Sequence, residues 1–313
     1  MAKFIKKVLL FFAFISVVDI ACGFGFNYLR SHAKGGDTKK NYYISEQCCD
    51  DVLILGSSRA ARHYNPLVLE DSLGLSCYNC GEPGCGIITA YARYGMIEQR
   101  HTPKLVIYEV TPGFDYWETD DYSKYLGKIR QYADKPSVYE LYYELGDNLE
   151  WLRLKSSLYK NNSFILNNLL DCCSKGNYIK GFEPLYGNLD SNLQPSTTHI
   201  DKIKIDSLKL SFMEKLIIKL QKEKVGLCFV VSPSFTSQEN ALLEKRQYVP
   251  IEELCRQYNI PFYNHTWTEG ISDDYSMFQD IGHMNKKGAS IYSGIVSEEL
   301  KDIIMNFIRP YEQ

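Results

Sequence analysis

Ser58, Asp280 and His283 are the residues whose types and spacing could do chemistry together in this chain. Ser58 closes a short block that reads Asp-Val-Leu-Ile-Leu-Gly-Ser-Ser-Arg over 51–59. Its four apolar residues, 52–55, fit a strand buried on both faces at the centre of a parallel sheet. The Gly-Ser-Ser turn then lifts a serine out at the carboxyl end of that strand, the end where open α/β sheets bind ligands. A serine becomes a nucleophile only when a histidine takes its proton and an acid orients that histidine. Asp280 and His283 stand three apart, late in the chain and just before a helix. That spacing can set a carboxylate beside one ring nitrogen and leave the other facing a serine. Alone, Asp-x-x-His is a weak signal that marks a surface histidine more often than a catalytic one. Its weight comes from the serine turn and from a glycine-rich loop at 79–86.

The elements that must position these residues follow an α/β rhythm. After the serine turn, 66–73 reads as a helix with Pro66 in its first turn and Gly74 as its stop. Residues 75–79 read as a second short strand, running into Asn79-Cys80-Gly81-Glu82-Pro83-Gly84-Cys85-Gly86, whose glycines allow close backbone approach. A helix over 87–99 and a third strand over 104–110 follow. Strand, helix, strand, helix, strand within so short a stretch is the pattern of a parallel sheet with crossover helices. The rhythm breaks over about 114–200, a stretch rich in tyrosine, asparagine and charge with helical pieces such as 138–154; it reads as a mainly helical insertion capping the strand ends. It resumes with a helix over 203–224, a fourth strand at 225–231, a helix at 250–258, a fifth strand at 261–264 and a last helix from Gly288 to about Phe307. The expected fold is a flavodoxin-like three-layer α/β/α with a mostly parallel five-stranded sheet.

Residues 1–27 read as an uncleaved transmembrane anchor. Lys3, Lys6 and Lys7 precede 8–26, which are apolar or small except for Ser16 and Asp19. About 20 apolar residues cross a bilayer, and flanking lysines stay on the cytoplasmic side. The run is long for a signal peptide, whose apolar core is about 7–15 residues. Asp19 is out of place, since a carboxylate at mid-membrane costs a few kcal/mol. Residues 28–41, with Gly35, Gly36 and several lysines, read as a linker, and the folded α/β domain as 42–313. The protein is thus expected at the cell membrane, single-pass, with its folded domain extracytoplasmic.

The 313 residues, 45% hydrophobic and 23% charged, describe a folded protein, and a net charge of −3 argues against a nucleic-acid partner. The 24 tyrosines suit sugar binding, but tyrosine is also a good sheet and interface residue, and that reading comes first. Cys77, Cys80 and Cys85 lack a fourth ligand at zinc-like spacing, so they read as small buried residues and no metal is assigned. The ten cysteines are compatible both with disulfides outside the cytoplasm and with free thiols. Arg59 either binds an anionic or sugar group or packs over the turn, and His63 reads as a surface or packed residue rather than a base.

Taken together, these blocks resemble the SGNH/GDSL hydrolases over about 51–115 and 200–305. Gly56-Ser57-Ser58-Arg59 is similar to that family's Gly-Asp-Ser-Leu block, with Ser57 where the family has aspartate. Residues 79–84 are similar to its second block and Asp280-Ile281-Gly282-His283-Met284-Asn285 to its last. The resemblance implies Ser58 as nucleophile, His283 as base and Asp280 as its orienter, with the N–H groups of Ser58 and Gly84 forming an oxyanion hole. The family's third block carries an asparagine that donates to the oxyanion; here 109–115 contains none. Losing one such donor costs ~10²–10³ in rate; Asn79 or Thr111 is the candidate replacement. The implied chemistry is acyl transfer and requires no metal or organic cofactor. The substrate class implied is an O-acylated extracytoplasmic carbohydrate or an acylated small molecule. Three functions remain open: an esterase, an O-acyltransferase supplied by a membrane acyl-donor partner, and a silent binding protein of the same fold.

Overall fold

Short apolar runs between polar punctuation become the centre of a sheet only if both faces are covered, and helices cover them here. The computed structural model describes residues 1–118, 121–174, 179–193 and 204–304. In chain order the helices and strands are α1 (Ala2–Ser31), α2 (Gly36–Glu46), β1 (Val52–Gly56), α3 (Ser58–His63), α4 (Pro66–Leu73), β2 (Cys77–Asn79), α5 (Ile87–Ile97), β3 (Leu105–Glu109) and α6 (Pro112–Asp115). The short helices α7 (Ser123–Ile129), α8 (Pro136–Leu145), α9 (Glu150–Arg153), α10 (Ser157–Asn161) and α11 (Ile165–Cys173) come next. Then follow α12 (Ser207–Lys222), β4 (Gly226–Val231), α13 (Gln238–Glu244), α14 (Val249–Tyr258), β5 (Phe262–Asn264), β6 (Phe278–Asp280), β7 (His283–Met284) and α15 (Lys286–Ile303). The chain divides into two compact units, Met1–Gln47 with Asp121–Asn177, and Cys48–Asp120 with Tyr178–Gln313.

The second unit is a three-layer α/β fold. Its five strands run in the order β2-β1-β3-β4-β5, every neighbouring pair parallel, which is the flavodoxin-like arrangement. All five residues of β1 and all five of β3 are buried, in register from Val52 opposite Leu105 to Gly56 opposite Glu109. Successive side chains point to opposite faces. Val52, Ile54, Leu105, Ile107, Cys228 and Val230 pack against Leu69 of α4 and against Tyr292, Val296 and Leu300 of α15. Each large apolar side chain buried this way contributes about 1.5–3 kcal/mol. On the other face α5 and α12 lie together, Tyr91 edge-on to Phe212, and Tyr108 meets Phe229 across β3 and β4. Helix α4 starts and stops as its sequence demands: Asn65 accepts from the Leu67 N–H, and Gly74 closes it at φ 68°.

The first unit corrects four expectations. Residues 28–41 are not a loose linker: α1 runs on to Ser31, and α2 starts at Gly36 after a single turn. The lysines and glycines there looked solvated, yet Thr38 is buried, donating its hydroxyl to Asn168 Oδ1 at 3.0 Å and its N–H to Asp171 Oδ2 at 3.0 Å. The α/β unit accordingly begins at Cys48, not near residue 42. The insertion expected over about 114–200 supplies only 121–177 to the helical unit; α6 and the described residues 179–193 belong to the sheet unit. The helix expected over 138–154 is two helices, α8 and α9, parted at Gly146. Residues 119–120, 175–178 and 194–203 of the insertion, and those after 304 in the expected last helix, lie outside the described residues.

Candidate active site

The carboxyl end of β1 is shaped by Gly56. Its φ is 134°, and a Cβ added there would lie 2.5 Å from the Glu109 carbonyl oxygen, so only glycine fits. The chain turns through Ser57, whose hydroxyl lies 2.7 Å from that of Thr111, and enters α3 with Ser58 as its first residue. First-turn N–H groups have no partner inside their own helix. Nothing intrahelical therefore consumes the amide of Ser58.

Asp280 ends β6 and His283 opens β7, an antiparallel pair rather than the plain helix approach read from sequence. One Asp280 oxygen accepts the N–H groups of Gly282 and His283, each at 2.9 Å, and both oxygens lie 3.0 Å from His283 Nδ1. A carboxylate only accepts, so Nδ1 carries the ring proton and Nε2 presents a lone pair. Nε2 lies 2.8 Å from Ser58 Oγ. The structure thus brings together the three side chains singled out from sequence, in the order serine, imidazole, carboxylate. Burial lowers the pKa of His283, the Arg62 and Arg59 charges lower it further, and Asp280 opposes them. The ring is therefore neutral near neutral pH, able to take a proton.

Behind this trio lies a buried polar network that the sequence did not announce. His63 Nε2 accepts the N–H of Met284 at 3.0 Å, which puts its proton on Nδ1, 2.7 Å from Ser232 Oγ. Ser232 donates its hydroxyl to Glu109 Oε1 at 2.8 Å and its N–H to the same carboxylate. Tyr64 also donates to Glu109, and Arg59 Nε lies 3.2 Å from Oε1. The His63 ring stands nearly perpendicular to that of His283, with centroids 6.1 Å apart. Burial, with the charges of Arg59, His283 and Arg62, holds His63 well below the ordinary histidine range. Burial raises Glu109, and Arg59, Tyr64 and Ser232 draw it back. The one sequence signal was a glutamate closing an apolar strand, Leu-Val-Ile-Tyr-Glu.

Arg59 takes the second of its two readings, while Asn79 and Thr111 stand differently from expectation. Arg59 turns inward onto Glu109 and Ser232, so its guanidinium braces the turn instead of presenting itself to a ligand. Asn79 is fully buried and spends its side chain within the fold: Nδ2 donates to the carbonyls of Ala60 and Tyr64, and Oδ1 accepts from Gly81 N. It has no donor left for an oxyanion. Thr111 gives its N–H to Asp115 and its hydroxyl to the pair with Ser57. Burial raises Asp115 to about 7, against the pull of Tyr108 and the Thr111 N–H.

The glycine-rich loop is bolted to the end of β1. Cys80 N donates to Ile54 O, Glu82 N donates to Gly56 O, and Arg93 pairs with Glu82 while holding the Cys80 and Gly81 carbonyls. A Cβ on Gly81 would fall 2.4 Å from Ala61 N, so the loop passes tight against α3. Gly84 takes φ 74° in the turn closed by Cys85 N and Glu82 O, with open space around its Cα. Cys77, Cys80 and Cys85 are buried, and among the described residues no three histidine, cysteine or acidic side chains group as a metal site.

No protein-family model matches the chain, and no curated protein matches it. Among solved structures it is similar to an active-site mutant of a family two carbohydrate esterase from Clostridium thermocellum, at 9% identity and a TM-score of 0.40, over 82% of this chain and 64% of that one. It is also similar to a putative acylhydrolase from Bacteroides fragilis NCTC 9343, at 10% identity and a TM-score of 0.38, over 83% and 93%. The chain spans less than two thirds of the first structure's length. Likenesses this distant carry nothing about chemistry. The resemblance to SGNH/GDSL hydrolases rests on the strand order and on the places of Ser58, Asp280 and His283 at the strand ends.

Proposed function

We propose that this protein is a serine-dependent ester hydrolase of the SGNH type, acting on O-acyl groups of an extracytoplasmic carbohydrate. The observation that carries the proposal is the hydrogen-bonded chain from Ser58 Oγ to His283 Nε2 and from His283 Nδ1 to Asp280. In this mechanism His283 removes the Ser58 proton as Oγ attacks the ester carbonyl, and Asp280 steadies the imidazolium. The N–H groups of Ser58 and Gly84 receive the oxyanion. The tetrahedral adduct collapses, His283 hands its proton to the departing alcohol, and the acyl group stays on Ser58. Water, deprotonated by His283, then attacks the acyl-serine; the acid leaves and Ser58 regains its proton.

The carbohydrate assignment rests on the family resemblance and on α1, which is long and apolar enough to cross a membrane and which we take as a single-pass anchor. A groove of about 410 Å³ begins two residues beyond His283, lined by Tyr186, Asn188, Asn285 and Lys286, with Tyr186 exposed and the Lys286 ammonium 6.0 Å from its ring centroid, an aromatic and a cation that could meet a sugar. A second reading, an O-acyltransferase passing the acyl group to a sugar hydroxyl, is favoured by the same anchor, which would keep the site near a membrane acyl donor. In either reaction a fluorophosphonate should phosphonylate Ser58. Mass spectrometry should find the adduct on the peptide carrying Ser58 in the wild type and lose it in His283→Ala. Labelling of a different serine, or none, would contradict both readings.

A further inference from the structure

Asp19 is the one acidic residue in the apolar run of α1, and it is not left in hydrocarbon. Its carboxylate accepts from Ser156 Oγ at 2.6 Å, Ser157 N at 2.8 Å and Leu158 N at 2.9 Å, capping the start of α10. One turn further on, a Cβ on Gly23 would fall 2.7 Å from Ser157 Oγ, so α1 and the start of α10 are in close contact. Higher on α1, Cys172 of α11 donates to the Leu29 carbonyl. The helical unit is therefore fastened along α1 from Asp19 upward.

Helix length then sets a depth. Asp19 comes twelve positions after Lys7, a rise of about 18 Å, whereas the hydrocarbon core is about 30 Å thick. If α1 spans the bilayer with its lysines at one surface, the helices fastened at Asp19 are drawn into the far leaflet. Their surface suits that depth. Leu149, Trp151 and Leu152 around α9, Leu158 on α10, and Leu166 and Leu170 on α11 are all exposed, Trp151 at 51% and Leu166 at 67%. The opposite side of α11 is spent on α2, through Asn168 and Asp171. Both α10 and α11 pack against α1, which itself exposes Ile20 and Phe24.

We infer that α9, α10 and α11 form a collar seated in the outer leaflet around α1, and that phospholipid is what covers their apolar face. The inference rests on the reading of α1 as a membrane anchor. The collar places a tryptophan at the boundary, where amphipathic aromatic rings collect, and Asp19 gains three donors instead of a place in the hydrocarbon.

The test uses the full chain in phospholipid vesicles, in single-tryptophan form. Trp117→Phe with Trp267→Phe leaves Trp151; Trp117→Phe with Trp151→Phe leaves Trp267. A third form, with all three replaced by Phe and Phe12→Trp added, reports on the anchor. With lipids brominated near the headgroup, Trp151 should be quenched at least about twice as strongly as Trp267, as burial of about 5–10 Å into the headgroup–acyl boundary requires. The tryptophan at position 12 should be quenched by bromines near the bilayer centre. Quenching at position 12 with Trp151 no more quenched than Trp267 would overturn the collar alone, and would also be the result if a second copy or a membrane protein covered the face. No quenching at position 12 would overturn the anchor and the collar together. If the replacements unfold the chain, hydrogen exchange of the wild type in nanodiscs gives the same decision. Exchange over 149–158 and 165–170 should be slower there than in detergent lacking a bilayer, and equal exchange would overturn the collar.

Discussion

The backbone N–H of Met284 donates to Nε2 of His63 at 3.0 Å, so a fully buried histidine fixes the strand residue next to the histidine that faces Ser58. The chain of contacts continues through Ser232 to Glu109, and ties α3 and the ends of β3 and β4 to β7. Replacing His63 with alanine orphans the buried Met284 N–H, at about 1–3 kcal/mol, while Ser232 keeps Glu109 and Arg59 as partners. His63→Ala should fold less stably and lose activity even though His63 touches no substrate. Its pKa in the folded state lies well below the ordinary histidine value of 6.5, so the unfolded chain takes up the proton first as pH falls. The stability His63 contributes is thus complete above about pH 6.5 and is lost on acidification below it. Urea midpoints at pH 8 and pH 5.5 should show a larger acid loss in the wild type than in His63→Ala.

His283 must be neutral to act as a base, and its pKa is lowered from 6.5. The acid limb of kcat/KM should therefore lie below pH 6.5. Arg62 contributes to that lowering and Asp280 opposes it. Arg62→Gln should move the limb to higher pH. Asp280→Asn should move it to lower pH and, by losing the tautomer, cut the rate up to ~10⁴-fold. Full pH–rate profiles of the three proteins check both signs.

Glu109 and Arg59 form a buried pair, and removing one partner leaves a charge without compensation, typically costing 3–5 kcal/mol, or about that here. Glu109→Gln should lower stability by that order. Adding Arg59→Met should restore part of the loss, because the stranded cation goes with it. A double-mutant cycle by denaturant titration measures the coupling, and additive losses would contradict it.

Gly56 and Gly84 both adopt positive φ, but they should respond differently to alanine. At Gly56 the new Cβ meets the Glu109 carbonyl oxygen at 2.5 Å, and the strain of about 1–3 kcal/mol comes on top of a clash. At Gly84 the Cβ finds open space, leaving only the backbone cost of roughly 1 kcal/mol. Thermal unfolding should show Gly56→Ala clearly the less stable of the two.

The sheet was legible because its strands are short apolar runs ended by glycine, glutamate or serine, and β1, β3 and β4 need nothing distant to be recognised. Ser58 was legible at the end of an apolar strand beside a recognisable turn, and His283 from its spacing of three after Asp280 ahead of a helix. What could not be read locally was the use of polar groups. Thr38 looked like part of a solvated linker, but its partner Asn168 lies 130 positions away. Asn79 occupied an expected place in its block, yet its amide is consumed by the carbonyls of Ala60 and Tyr64. Glu109 ends a strand in plain sight, while Arg59, Tyr64 and Ser232, which make it tolerable there, come from separate segments. Asp19 read as a defect of the anchor until Ser156 to Leu158 supplied its donors.

The most direct measurement is hydrolysis of a small chromogenic acetyl ester by the full chain in detergent, beside Ser58→Ala and His283→Ala. The full chain is needed because a cut at residue 42 would sever α2. The wild type should release acetate, and each variant should fall by roughly 10⁴–10⁶-fold, toward what the oxyanion hole and binding alone supply. Equal rates in all three proteins, on this ester and on acetylated glycans, would contradict Ser58 as the nucleophile of a hydrolase.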